Sequence, residues 1–257
     1  MPKFSANLTM LFTEVDFMDR LERAAKAGFR AIEYMFPYSY DAGQLADKLE
    51  QYNLTQVLFN LPAGNWEKGE RGIALLPERT GEFQEGVGQA MKCAKALKCS
   101  MVNCLVGLRP NLSEDTIRET LVKNLRFAAT ALAQENIRLL IESLNTRDIP
   151  GFYLSSTAHA LSLIKDVGHP NAYYQYDIYH MQVMEGNLTE TIIKNIDKIA
   201  HIQLADNPGR HEPGTGEINY QNLFRFIDEA GYKGFIGCEY KPLGKTEEGL
   251  EWIKTYL

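Results

Sequence analysis

The stretch FIGCEYKP, residues 235–242, runs from an apolar, strand-like segment into the carboxylate of Glu239. A carboxylate that ends a buried strand loses its hydration, and this costs free energy unless another group compensates the charge. Glu239 is therefore either a salt-bridged strand end or part of a functional site. The positions at which the other strands of the protein end decide between these two interpretations.

Seven other segments are also short runs of apolar, β-branched or aromatic residues. The full set of eight is FSANLTMLF (4–12), AIEYMF (31–36), TQVLFNL (55–61), SMVNCLVG (100–107), IRLLIES (137–143), AYYQYDIYH (172–180), IAHIQLAD (199–206) and GFIGCEY (234–240). Segments with helical spacing lie between them, with Ser113 at one helix start and Gly28 and Gly231 at two helix ends, as capping requires. This alternation predicts an α/β protein with a single (β/α)8 TIM barrel over residues 1–257.

A doubly wound open sheet is the alternative fold. No G-x-G-x-x-G motif follows the first predicted strand, which removes the commonest cofactor signature of that fold without excluding it.

The composition limits the class of protein. Hydrophobic residues make up 45% of the 257 residues and charged residues 23%, which is ordinary for a globular protein. We expect a cytoplasmic protein without a membrane partner, because no apolar run is long enough to span a bilayer and MPKFSANLTM does not resemble a signal peptide. The formal net charge of −6 argues against a nucleic-acid partner. A homo-oligomer is compatible with the sequence, which does not fix the number of subunits.

Four polar residues lie at the predicted ends of strands five to eight: Glu142, Asp177, Gln203 and Glu239. In a TIM barrel the active site lies at this face and is built from the ends of several strands. Three carboxylates at one mouth would repel each other unless a cation lay between them. Their oxygen ligands suit a hard divalent cation, Mg²⁺ or Mn²⁺, better than Zn²⁺. For each residue alone, a helix cap or a salt-bridged strand end is the simpler interpretation.

The stretches LIES, YDIYH, HIQLADNPGRHEPGTGEINY and GCEYKP resemble those of the hydroxypyruvate isomerase family, which belongs to the xylose-isomerase-like barrels. The resemblance extends over essentially the whole chain. It implies a TIM barrel that interconverts hydroxypyruvate and tartronate semialdehyde, with Glu142 and Glu239 as proton donor and acceptor. Sugar epimerases of similar fold generally have a histidine as third metal ligand, where this chain has Gln203. This difference weakens any transfer of their metal preference or sugar specificity.

The chemistry of such an isomerisation is consistent with these residues. A proton moves between adjacent carbons through an enediolate, which requires a base, an acid and a positive centre near the oxygens. Two glutamates could transfer the proton, and a divalent metal could act as the Lewis acid.

Other candidates would bind a small anionic hydroxy-oxo acid. Arg210 offers a fork that matches a carboxylate, His180 follows Asp177 by three residues, and Lys241 follows Glu239 by two. Their simpler interpretations are a solvated loop charge for Arg210, a buried core histidine for His180 and an outward-facing lysine for Lys241. Asn7, with Asn60, is expected to line the floor of the site.

The segment 61–79, LPAGNWEKGERGIALLPER, is long for a βα loop and is a candidate lid. Glu70 and Arg71 are its candidates for reaching the substrate. A surface excursion with Trp66 packed against a helix is the alternative.

Three classes of function remain. The sequence favours a metal-assisted isomerase, with 2-oxo-tetronate isomerase or a related ketose epimerase as the rival activity on the same barrel. A DNA-repair endonuclease of this superfamily would need several histidine ligands and a basic face. This class is disfavoured, because the chain has only five histidines in all and a negative net charge. A non-catalytic binding protein would have no use for a complete acid, base and metal set.

Overall fold

The structure is a computed structural model and describes residues 1–256. Eight parallel strands form a closed barrel in which each strand pairs with the next along the chain and β8 pairs with β1. The predicted (β/α)8 barrel is therefore confirmed, and the open-sheet alternative is wrong. The strands are β1 (Lys3–Asn7), β2 (Ala31–Glu33), β3 (Thr55–Asn60), β4 (Met101–Cys104), β5 (Arg138–Glu142), β6 (Ala172–Asp177), β7 (Ile199–Leu204) and β8 (Phe235–Cys238).

Helices follow the strands and cover the outside of the barrel. They are α1 (Phe17–Lys26), α2 (Ala42–Gln51), α3 (Thr80–Ala96), α4 (Glu114–Ala133), α5 (Thr157–Val167), α6 (Ile178–Met184), α7 (Leu188–Asn195) and α8 (Tyr220–Glu229). Strand β8 is followed by a 3-10 helix, Thr246–Ile253. Ser113 caps α4 and Asn219 caps α8, and each side-chain oxygen accepts a hydrogen bond from a first-turn N–H, as capping residues do.

The barrel interior has two layers. Side chains alternate along a strand, so residues two apart share a face. Ala31, Met101 and Leu140 belong to an apolar cluster made only of strand residues. Two positions further along the same strands come Glu33, Asn103 and Glu142, which are also buried. The interior is therefore apolar near the strand starts and polar near the strand ends.

Within residues 1–256, no helix combines the length and the apolar character that a bilayer crossing requires.

Candidate active site

The four residues predicted as metal ligands lie at one level of the barrel. Glu142 is the last residue of β5, Asp177 the last of β6, Gln203 the penultimate residue of β7, and Glu239 follows β8 directly. Asp177 is in register with Gln203 across the sheet, and Gln203 is in register with Gly237. The closed parallel barrel therefore brings all four to the same mouth.

Three carboxylates and one histidine lie close together at this mouth. One ligand atom from each of Glu142, Asp177, His180 and Glu239 lies within 4.8 Å of the others. Burial and the charges of Glu239 and Asp177 raise the pKa of Glu142 well above its usual range. Burial also raises the pKa of Glu239 to about 8, although the Arg210 guanidinium opposes this shift. The cluster is thus a set of crowded acids that a cation would stabilise.

His180 presents a ring nitrogen to this cluster. Its Nδ1 accepts a hydrogen bond of 3.0 Å from the backbone N–H of Asn145, so Nδ1 carries no proton. Burial lowers the pKa of His180 to about 4, which keeps the ring neutral at physiological pH. The single proton therefore resides on Nε2, 3.8 Å from Asp177 Oδ2. A protonated Nε2 cannot bind a metal, so the candidate metal ligands in this cluster are the carboxylates.

Asp177 offers an oxygen suited to a metal. Its Oδ1 accepts a hydrogen bond from the backbone N–H of His180 and caps α6. Its Oδ2 is buried and has no hydrogen-bond partner among residues 1–256. An unpartnered buried carboxylate oxygen is costly, and a cation would remove this cost. The acidic cluster of Glu142, Asp177 and Glu239 therefore fits a divalent metal.

Gln203 belongs to a hydrogen-bonded network beside the carboxylates. Its Oε1 accepts a bond of 2.6 Å from Gln175 Nε2, and its Nε2 donates to Glu33 Oε1 at 2.7 Å. Glu33 also accepts bonds from Ser5 and His201. An amide oxygen has two lone pairs, so the bond from Gln175 leaves one for a cation. The role of Gln203 as a ligand stays a prediction.

Two asparagines hold the two glutamates. Asn7 Nδ2 lies 3.1 Å from Glu239 Oε1 and 3.2 Å from Glu33 Oε1, and Asn103 Nδ2 donates to Glu142 Oε2 at 3.0 Å. Asn7 is not among the residues that line the large cavity, but with Asn60 it lines a small space beside Glu142 and Glu239. Asn7 and Asn103 restrict the orientation of the carboxyl groups that face the cavity.

Arg210 is not the solvated loop charge of its simpler interpretation. Its side chain is only 17% exposed, and its Nη2 lies 2.6 Å from Glu239 Oε2 and 3.7 Å from Asp177 Oδ2. The φ angle of Arg210 is +60°, a conformation that costs a non-glycine residue about 1 kcal/mol. Its Nε–H is buried and unpartnered within the described part of the chain. One edge of the guanidinium therefore binds Glu239, and another donor remains free.

A cavity of about 620 Å³ opens above the carboxylates. The connections after β1 to β4 contribute mostly apolar side chains, including Met10, Met35, Trp66 and Leu105. The β5 to β8 half contributes the charged and polar ones, including Glu142, Arg147, Asp148, Tyr179, His180, Arg210, Glu239 and Lys241. Half of the cavity wall is thus suited to acid–base chemistry and half to excluding water.

The 61–79 loop reaches the cavity through Trp66 rather than through Glu70 or Arg71. Glu70 accepts hydrogen bonds from the Asn65 backbone and from Arg79. The Arg71 guanidinium lies 3.9 Å from the centre of the Trp66 ring. Of the described residues, those that line the cavity do not include Glu70 or Arg71. The two charged residues stabilise the loop, and the loop presents Trp66 to the cavity.

The later part of this loop is anchored in the core. Ile73, Ala74 and Leu75 are buried, and the Ala74 carbonyl accepts a hydrogen bond of 2.8 Å from Asn124 Nδ2. A Cβ atom on Gly72 would lie 1.9 Å from the Leu105 carbonyl oxygen, so only glycine fits there. Residues 72–75 therefore form a fixed wall, and a lid role is confined to the preceding residues.

Sequence reasoning missed several residues that support the site: Glu33, Asn103, Asn145, Gln175 and His201. Glu33 and Asn103 each interrupt an apolar strand segment with a polar residue. The argument that singled out Glu239, a polar group in a buried strand, applies equally to them. Asn145 could not be found in this way. Its role depends on a contact with His180, which lies 35 positions away in the sequence.

Comparison with known proteins agrees with this geometry. The chain is 55% identical over 257 residues to the hydroxypyruvate isomerase of Escherichia coli (strain K12), and the match covers 100% of both chains. It is 45% identical over 259 residues to the 2-oxo-tetronate isomerase of Pectobacterium atrosepticum, covering 100% of this chain and 98% of that one.

A solved structure described as an AP endonuclease, family 2, from Brucella melitensis superposes with a TM-score of 0.98 at 45% identity, covering 100% of this chain and 99% of that chain. The family model for the xylose isomerase-like TIM barrel matches residues 21–256. With its closed eight-stranded barrel and its full-length relatives, this chain belongs to the xylose isomerase-like TIM barrel family.

Proposed function

We propose that this protein is a hydroxypyruvate isomerase, which interconverts hydroxypyruvate and tartronate semialdehyde. The observation that carries the proposal is the close pair of glutamates that line the cavity, the buried Glu142 and the partly buried Glu239. The full-length relative named hydroxypyruvate isomerase supports the same activity. The reaction moves one proton between two adjacent carbons, and a pair of carboxyl groups is the minimal equipment for it.

The two carboxyl groups have unequal surroundings. Glu239 accepts a charge-assisted hydrogen bond from Arg210 and a second bond from Asn7, and both favour its ionised form. Glu142 is 4% exposed and has one amide donor, from Asn103, so burial favours its protonated form. The Glu239 pKa of about 8 belongs to the metal-free protein, and a cation bound beside Glu239 would favour its ionised form. We therefore assign Glu239 as the base that removes a proton from hydroxypyruvate and Glu142 as the acid that delivers one to the neighbouring carbon.

Two further donors would bind the substrate's carbonyl and hydroxyl oxygens. His180 keeps its proton on Nε2 at the cluster, and the Nε–H of Arg210 has no partner among the described residues. Negative charge develops on these oxygens as the proton leaves the carbon, so fixed N–H donors there lower the barrier. His180 would act as a neutral donor, because its lowered pKa of about 4 rules out an imidazolium at neutral pH.

A divalent metal, Mg²⁺ or Mn²⁺, fits the carboxylates of Glu142, Asp177 and Glu239, with Gln203 as a further oxygen ligand. Hard cations prefer such oxygen ligands. When bound, the metal supplies Lewis-acid stabilisation of the oxygens on which charge develops.

A 2-oxo-tetronate isomerase is the second candidate function. The relative of that name is 45% identical to this chain. The cavity of about 620 Å³ also exceeds what a three-carbon acid requires, since sites in the range of roughly 300–1,000 Å³ hold drug-sized ligands. An endonuclease activity has less support, because the one histidine in the cluster is protonated on the nitrogen that faces the carboxylates.

A substrate panel tests the proposal. The protein is incubated with hydroxypyruvate, with 2-oxo-tetronates and with ketohexoses, each with Mg²⁺, with Mn²⁺ and after chelation, and products are followed by proton NMR. We expect hydroxypyruvate to give the highest kcat/KM. A higher kcat/KM for a 2-oxo-tetronate would replace the first function by the second.

A further inference from the structure

The cavity contains three cationic side chains, from Arg147, Arg210 and Lys241. The charge of Arg210 is shared with Glu239 and Asp177, at 2.6 and 3.7 Å. Hydroxypyruvate is an anion, and a carboxylate placed beside Arg210 would be the third negative group around one guanidinium. Like charges at such short range repel each other strongly in a buried site. The substrate carboxylate therefore requires a different cation.

Among the described residues, Arg147 and Lys241 are cations that form no salt bridge, although the charge of Arg147 helps from a distance to lower the pKa of Glu217. Neither side chain forms a salt bridge with any other residue in the range 1–256. Both are exposed at the mouth of the cavity, Arg147 after β5 and Lys241 after β8. An unpaired arginine and an unpaired lysine that line the same cavity provide a recognition site for one carboxylate.

Hydrogen bonds hold the backbone at Lys241 and next to Arg147. The Lys241 N–H donates to the Arg210 carbonyl at 2.8 Å, and the Lys241 carbonyl lies 2.7 Å from His211 Nδ1. Arg147 lies in a turn in which Asn145 Oδ1 accepts a bond of 2.7 Å from the Asp148 N–H. Ordered backbones lower the entropic cost of holding two long side chains on a ligand.

Asp148 does not neutralise Arg147, although it is the next residue. Its carboxylate accepts hydrogen bonds from Tyr179 at 2.9 Å and from Asn145 at 3.2 Å. These bonds oppose the effect of burial and keep the pKa of Asp148 below its usual range. Asp148 thus adds a fixed negative charge near Tyr179, which repels the substrate carboxylate from that wall.

We propose that Arg147 and Lys241 bind the carboxylate of the substrate and so select an oxo acid over neutral ketoses, while Arg210 serves the carboxylates of the protein. This inference rests on the proposed function and adds the residues that determine the substrate class. It differs from the sequence-based prediction, which assigned the carboxylate first to Arg210 and did not consider Arg147.

The test uses three variants, Arg147→Gln, Lys241→Gln and the double variant, with Lys233→Gln as the control. Lys233 is exposed and lies between α8 and β8, at the opposite end of the barrel, so its replacement removes one charge far from the cavity. We expect each single variant to raise KM for hydroxypyruvate about three- to tenfold and the double variant about ten- to hundredfold. The value of kcat should stay within about threefold, because carboxylate binding is equal in the ground and transition states.

Added salt provides a second readout. The wild type and the control should show a KM that rises with ionic strength, whereas the double variant should lose most of this dependence because its charges are gone. A double variant whose KM stays within about twofold of the wild type overturns the inference, and so does a loss confined to kcat. A wild type that does not convert hydroxypyruvate overturns the proposed function, and the inference with it.

Discussion

Arg210 binds Glu239 rather than standing free in the cavity: its Nη2 lies 2.6 Å from Glu239 Oε2. The bond joins a loop residue with a φ of +60° to the carboxylate that follows β8. This conformation is uncommon for a non-glycine residue, and it places the guanidinium beside Glu239. We therefore expect Arg210 to act mainly on the proton-transfer step, through its contact with Glu239.

This contact gives a prediction for Arg210→Lys. The variant keeps a positive charge but loses the guanidinium fork, so Glu239 loses its short hydrogen bond and its orientation. We expect kcat to fall by about ten- to hundredfold, with KM changed by less than about threefold. Steady-state kinetics with hydroxypyruvate measures both. A large rise in KM with kcat unchanged would instead favour the substrate-carboxylate role predicted from the sequence.

The second prediction concerns Glu239→Gln. Glutamine keeps the shape of the side chain and one ligand oxygen but does not accept a proton at neutral pH, so kcat should fall by roughly two to four orders of magnitude. Removing one charge from a crowded acidic cluster relieves repulsion, so the fold should be retained.

A solvent-exchange experiment separates the two roles of Glu239. In D₂O the wild type should incorporate deuterium at the reacting carbon, and a Glu239→Gln protein shown to bind metal should not. Exchange and turnover at the wild-type rate in this variant would mean that Glu239 is only a strand end.

The third prediction concerns stability and pH in the metal-free protein. The pKa of Glu239 is raised from 4.5 to about 8, so the folded state binds more protons than the unfolded state between these values. Stability from this group is therefore lost as pH rises towards 8. The pKa of His180 is lowered from 6.5 to about 4, so its contribution rises with pH below 6.5 and is constant above it.

The effects of Glu239 and His180 on stability oppose each other below pH 6.5. Above pH 6.5 only the loss of stability from Glu239 remains. We expect the free energy of unfolding to fall by on the order of 1–2 kcal/mol between pH 6.5 and 8. Urea denaturation of chelated protein at several pH values measures this change, and Glu239→Gln should flatten it. A stability that rises with pH across this window would contradict the assignment.

The fourth prediction concerns metal removal. A metal that binds only the folded state stabilises it by mass action, by about 2.7 kcal/mol at a concentration of one hundred times Kd. Exhaustive chelation should therefore lower Tm by on the order of 5–10 °C and abolish most activity. Thermal denaturation, with metal content checked by elemental analysis, provides the measurement. An Asp177→Asn variant should show a smaller difference between the two states, since it weakens the metal site.

The fold was predictable because it repeats one local pattern. Each of the eight apolar segments overlaps a strand, and the cap at Ser113 lies where the sequence predicts a helix start. The strands themselves are shorter than the apolar segments, since residues such as Leu8 and Leu11 are buried after β1 has ended. Buried apolar residues continue beyond the hydrogen-bonded residues of the strand. Hydrophobicity alone therefore does not mark where a strand ends.

The site was predictable only in part. The convergence of Glu142, Asp177 and Glu239 was predictable because the barrel topology places strand ends together. Their partners depend on side-chain geometry across distant strands, such as the bond from Asn103 to Glu142, which joins residues 39 positions apart. Glu70 and Arg71 were expected at the substrate because charged loop residues often bind ligands, but both are used within their own loop.

The division of the cavity into an apolar half after β1 to β4 and a charged half after β5 to β8 has a consequence for protein engineering. Substitutions at Met10, Met35, Trp66 or Leu105 can reshape the space around a substrate's tail without touching any carboxylate that transfers a proton. Under the proposed function, the barrel separates the choice of substrate length from the chemistry, and a library confined to these four positions can be screened for longer oxo acids without replacing Glu142 or Glu239.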